Sequence, residues 1–110
     1  MKSNFQNLKK LIVSSDVDDF LIDHDFNIVV LNPDLKTAIK ANLDLTQTKD
    51  VSRFLTMVIC FLENDEIGNE MVDWSNDQYV EYLKSIDISD YEDDSLVIEF
   101  MNNFSDLTVA

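Results

Sequence analysis

Residues 48 to 64 constrain the fold more than any other stretch of the chain. Val51, Phe54, Leu55, Val58, Ile59 and Leu62 recur at the 3.6-residue period of a helix, and Met57 and Phe61 widen the stripe. A helix apolar around so much of its circumference belongs at the centre of a domain, with other elements packed on several sides. Further segments supply the amphipathic faces it needs. Phe5, Leu8, Leu11 and Ile12 share a face behind Ser3, which is placed to cap them. Asn32-Pro33 puts a capping residue before a proline at the first helical position, ahead of Leu35, Ala38, Ile39 and Leu43. Ser75 precedes Tyr79, Val80, Leu83 and Ile86 in the same way. Ser89-Asp90-Tyr91-Glu92 fits a capping box before Leu96, Val97, Phe100, Met101 and Phe104.

The chain holds one Gly and one Pro in 110 residues. Tight hairpin turns are therefore scarce, and a glycine-rich phosphate loop is excluded. The best strand is the β-branched run Phe26 to Leu31, which can pair with Phe20-Leu21-Ile22 across Asp23-His24-Asp25. Ser15 to Leu21 begins as a short acidic helical turn, and Asn64 to Glu70 reads as a polar connection. The expected fold is mainly α: a single acidic globular domain over 1–110, with about five helices and one small β-hairpin near residues 20–31. The alternative is α+β, reached if 58–62 or 96–100 are strands, because short apolar runs do not settle their own period.

Phe20-Leu21-Ile22-Asp23-His24-Asp25-Phe26-Asn27-Ile28-Val29-Val30-Leu31-Asn32-Pro33 resembles the opening hairpin of a PAS sensor domain: strand, acidic turn, strand, Asn-Pro, helix. The likeness covers that stretch alone. The later antiparallel strands of the family are missing, so it transfers no functional residue. The same region sets Asp23, Asp25 and Asn27 at alternate positions of an EF-hand-like loop, with Asp34 twelfth. Its sixth position is Ile28 where the sharp turn wants glycine, and Asp34 is shorter than the usual bidentate Glu. The expectation is an acidic turn before a strand, with no metal.

Chemistry-bearing residues are few. The single His24 lies between two acids that would raise its pKa, but no nucleophile accompanies it and no Gly-x-Ser-x-Gly elbow exists. The single Cys60 falls on the most apolar helix and reads as a small buried hydrophobe. Carboxylate pairs are everywhere, so none singles itself out as a glycosidase pair. No catalytic residue and no cofactor are expected, and the chain reads as a binding protein rather than an enzyme.

Charge is the outlier. There are 22 acids against 8 bases, a formal net charge of −14, where a small domain needs only about 2–8 for solubility. Residues 1–53 hold seven bases and eight acids, a balance of −1; residues 54–110 hold only Lys84 against fourteen acids, a balance of −13. Such a surface is repelled by nucleic acid and by anionic lipid heads, so direct binding to either is not expected. A basic protein is the expected partner. The candidate partner-binding residues are Asp73, Trp74, Asp77, Glu81, Tyr82, Asp87, Asp90, Tyr91, Glu92, Asp93 and Asp94: aromatic anchors inside an acidic rim, as interface hot spots are built. Tyr79 belongs with the apolar stripe. In general character the chain resembles immunity proteins, which are small, acidic, cytosolic and single-domain, although no motif carries that likeness. The expected function is an immunity protein or antitoxin that covers the nucleic-acid cleft of a basic nuclease toxin. A phage-type DNA mimic and a non-inhibitory adaptor or assembly subunit are the alternatives. No apolar run of about 20 residues occurs, and Leu11-Ile12-Val13 is too short for a signal-peptide core, so the expected compartment is the cytoplasm.

Overall fold

A computed structural model of the chain describes residues 2–22, 25–63, 65–88 and 95–106. Among these the fold is mainly helical, with a small antiparallel hairpin, as the sequence leads one to expect. The elements run α1 (Phe5–Ser14), β1 (Phe20–Ile22), β2 (Ile28–Val30), α2 (Pro33–Asn42), α3 (Thr48–Glu63), α4 (Asp65–Glu70), α5 (Asn76–Ser85) and α6 (Ser95–Asp106). Single 3₁₀ turns at Val17–Asp19 and Met71–Asp73 complete the described chain.

Helix α3 is the hub. Val51 and every residue from Phe54 to Cys60 are buried, and α1, α4, α5 and α6 all pack on it. Even Thr56 is fully enclosed, and its hydroxyl donates to the Ser52 carbonyl at 2.8 Å, which spares the interior an unpaired donor. Phe54 meets Phe100 of α6 with ring centroids 6.2 Å apart, and Phe100 stacks on Phe104 at 4.9 Å. Residues 58–62 and 96–100 are helical, so the strand alternative for them falls.

Asn4, and not Ser3, caps α1: its side chain accepts the Asn7 amide at 3.1 Å. Ser3 is drawn away by partners distant in sequence. Its hydroxyl donates to Asp50 at 2.7 Å and accepts the Asp44 amide at 2.8 Å, tying the start of the chain to the entry of α3. Asn32 caps α2 through the amides of Asp34 and Leu35, with Pro33 first in the helix.

The hairpin pairs Phe20 with Val30, Leu21 with Val29 and Ile22 with Ile28. Its turn contains no glycine; Phe26 takes the left-handed conformation instead, at φ 63°. That conformation costs a residue with a Cβ about 1–2 kcal/mol, and Phe26 packs its ring partly against the core. No further strand occurs among the described residues, so the PAS-like opening is not continued into a PAS-like sheet. The strand β2 and the first turn of α2, which holds Asp34, occupy the sequence an EF-hand loop would need. Asp23 and His24 lie outside the described residues.

The segment expected as a polar connection is the short helix α4. Its amphipathic signal is a single residue, Ile67, which packs partly against the core. Two acids, Asp65 and Glu66, open the helix where its dipole favours them.

Candidate functional site

The turn Met71–Asp73 and helix α5 together present the candidate face. Met71 and Val72 are buried and anchor the turn, while Asp73 remains exposed. Ser75 then caps α5 through a capping box: its side chain accepts the Gln78 amide, and the Gln78 side chain accepts the Ser75 amide at 2.8 Å. This reciprocal pair fixes the angle at which Trp74 enters the helix.

Trp74 is half-buried, with its ring edge-on to Tyr79 at 5.7 Å and tilted against Tyr82 at 5.6 Å. Tyr79 is the buried member of the trio, as its place in the apolar stripe predicts. Its hydroxyl donates to the Met71 carbonyl and accepts from Arg53 Nε at 2.7 Å. Arg53 Nη2 also donates to the Val72 carbonyl. The same guanidinium lies 4.4 Å from the centre of the Phe5 ring and 5.3 Å from that of Tyr79. One cation therefore joins α1, α3, the turn and α5, and shares Tyr79 as a neighbour with Trp74. Sequence reading missed Arg53; the available signal was a base set inside the most apolar helix of the chain.

Tyr82 is half-buried and interacts with Cys60 of α3. Burial pushes the Cys60 thiol up to about 12, so it stays protonated and unreactive at neutral pH. Burial and the Cys60 contact likewise raise Tyr82 above the usual tyrosine range.

Asp77 and Glu81 are exposed and stand one helical turn apart on α5. Asp73, next to Trp74 in the sequence, is exposed as well. Of the candidates the structure brings Trp74 and Tyr82 into ring contact, while Asp77 and Glu81 fall on the side of α5 turned away from the buried Tyr79 and Leu83. Asp87 has a different task. It takes the left-handed position after α5, at φ 60°, where its amide donates to the Lys84 carbonyl at 3.1 Å. The Ile88 amide donates to the Leu83 carbonyl at 2.9 Å, and both of those side chains are buried. This is a Schellman cap with aspartate where glycine is usual. The side chain of Asp87 remains exposed. Asp90, Tyr91, Glu92, Asp93 and Asp94 lie outside the described residues, as does the Ser89 capping box. Among the described residues no group of three or more His, Cys, Asp or Glu side chains is placed to hold a metal ion.

Fold and face together describe a small, strongly acidic helical domain with an aromatic pair at one helix entry. Comparison with known protein families, with characterised proteins and with solved structures finds no match for this chain.

Proposed function

We propose that the chain is an inhibitory binding protein of the cytoplasm that docks on a basic protein, most concretely as an immunity protein or antitoxin covering the nucleic-acid cleft of a nuclease toxin. The observation that carries this reading is the half-buried Trp74–Tyr82 pair on a segment whose Asp73, Asp77 and Glu81 are all exposed. Aromatic rings held rigidly at the surface bury area at little entropic cost, and exposed carboxylates on the same segment favour a cationic partner. Asp87 adds support. Its conformation favours glycine, and its charge stands at the end of the helix where the dipole disfavours an anion. A residue unfavourable for stability on two counts is the kind a binding function retains.

In this reading the acids steer the encounter and occupy positions that nucleic-acid phosphates would take, while the aromatics supply the desolvated contact. The test is association kinetics with any basic protein encoded beside this gene, measured over a range of salt. Wild-type protein should associate fast and slow steeply with salt, and the Asp77→Lys/Glu81→Lys variant should associate at least about tenfold more slowly with a flatter salt dependence. Equal rates for the two proteins would remove the α5 face from the interface. Protection of nucleic acid from that partner's nuclease activity then separates inhibition from mere association.

A further inference from the structure

The near-neutral balance of residues 1–53 hides a local imbalance. No Lys or Arg occurs between Lys10 and Lys36, whereas Asp16, Asp18, Asp19, Asp23, Asp25 and Asp34 all do. The hairpin lies at the middle of that acidic stretch. Its outward face is nevertheless apolar: Leu21 is 55% exposed and Leu31 is 53% exposed, with Val29 half-buried between them.

The hydrogen-bond register defines the edge. The Leu31 amide donates to the Asp19 carbonyl at 2.8 Å, so Asp19 and Leu31 form a hydrogen-bonded pair of the ladder. Antiparallel pairs alternate, which makes Leu21 and Val29 the next such pair. The peptide groups of Phe20 and Ile22 consequently point away from β2. Strand β2 is flanked by α2 and α6 as well as by β1, whereas the principal neighbour of β1 is β2 itself. Among the described residues no backbone hydrogen bond reaches the outer side of β1, so that edge presents donors and acceptors beside an exposed leucine, the arrangement to which another strand adds.

We propose that this edge takes an extended cationic segment of a partner protein as a third strand. Charge chooses the occupant. A second copy of this chain would bring its own aspartates against Asp16 and Asp18, both exposed at the approach to β1. A segment alternating Lys or Arg with β-branched residues sets its bases among these aspartates and its apolar side chains beside Leu21. The inference does not depend on the α5 face, and either site stands without the other.

The experiment is amide chemical-shift mapping of the full chain with the synthetic peptide Lys-Val-Lys-Val-Lys-Val-Lys at up to about 1 mM, a range that detects weak binding. Shifts should centre on Phe20, Leu21 and Ile22. A peptide with Glu in place of Lys should bind at least about tenfold more weakly, through like-charge repulsion. A peptide N-methylated at alternate residues should lose binding from the one register that turns its methyl groups toward β1. Leu21→Lys, a surface change whose folding is checked by circular dichroism, removes the apolar contact and adds a like charge, and should weaken the Lys peptide to a similar degree. The proposal is overturned by the absence of shifts, by shifts spread over the acids of α5 instead, or by equal binding of the methylated peptides. It is also overturned if concentrating the chain alone perturbs Phe20 to Ile22, for then the occupant is a second copy.

Discussion

Replacing Arg53 by Met keeps the length and much of the apolar stem of the side chain while removing its charge and all its donors. The structure sets the cost. Two charge-assisted hydrogen bonds are lost, to the Tyr79 hydroxyl and to the Val72 carbonyl. Both are partly buried, so the low end of the range for such bonds applies, about 1.5 kcal/mol each. The contact over the Phe5 ring at 4.4 Å adds about 0.5–1 kcal/mol, part of which methionine recovers by packing on the same ring. The expected loss is about 3 kcal/mol, a large share of the stability of a small domain. Urea unfolding followed by far-ultraviolet circular dichroism should place the midpoint about 2 M lower, for a slope near 1.5 kcal/mol per M. Arg53→Lys is the informative companion. An ammonium keeps the charge but lacks the planar fork that reaches a hydroxyl and a carbonyl together, so it should recover less than half of the loss. If Arg53→Met costs under about 0.5 kcal/mol, a value typical of surface sites, or if Lys fully substitutes, then Arg53 does not hold the turn and α5 together.

Other outcomes follow from the same geometry. Tyr79→Phe should couple to Arg53→Met by about 1 kcal/mol in a double-mutant cycle, because both changes remove the hydrogen bond between the two side chains. Asp87→Gly should raise stability by about 1 kcal/mol and the thermal midpoint by about 4 °C, since it relieves the left-handed backbone and removes an anion from a helix end; partner association should suffer if Asp87 belongs to the interface. Ser75→Ala should cost about 1 kcal/mol by opening the capping box, measured by chemical unfolding. Above pH 9 stability should fall: the Cys60 thiol is raised from 9.0 to about 12 in the fold, so between those values the unfolded chain gives up a proton that the folded chain keeps. Cys60→Ala should make the decline shallower in pH-dependent unfolding curves, with the raised Tyr79 and Tyr82 supplying the remainder.

Much of the architecture is legible in the sequence because it rests on period. The stripe of α3, the faces of α1, α2 and α5, and the Asn32-Pro33 and Ser75 caps are all local signals, and each element forms where they put it. What escaped depends on contacts between distant residues. Ser3 and Asn4 are both good caps, and the choice between them is made by Asp44 and Asp50, some forty residues away. Helix α4 has one apolar residue turned inward and a glycine in the middle, so its propensity alone is weak; packing against α3 makes it a helix. At the candidate face, the exposure of Asp73, Asp77 and Glu81 was readable from their place off the apolar stripe. The roles of Arg53 and Asp87 were not. The first is defined by partners on three other elements, and the second by a backbone conformation that the residue type does not announce.

The packing of Trp74 on Tyr79 and Tyr82 has a practical consequence. Trp74 is the only tryptophan of the chain, and it stands in the candidate face within 6 Å of two tyrosines. Light absorbed by those tyrosines is passed to a single emitter whose colour responds to the water around it. A partner that covers the indole should shift its emission to the blue, and one that bridges the acids without touching the ring should leave it unchanged. The unlabelled protein therefore carries its own optical gauge, placed where apolar contact and purely electrostatic attraction give different readings.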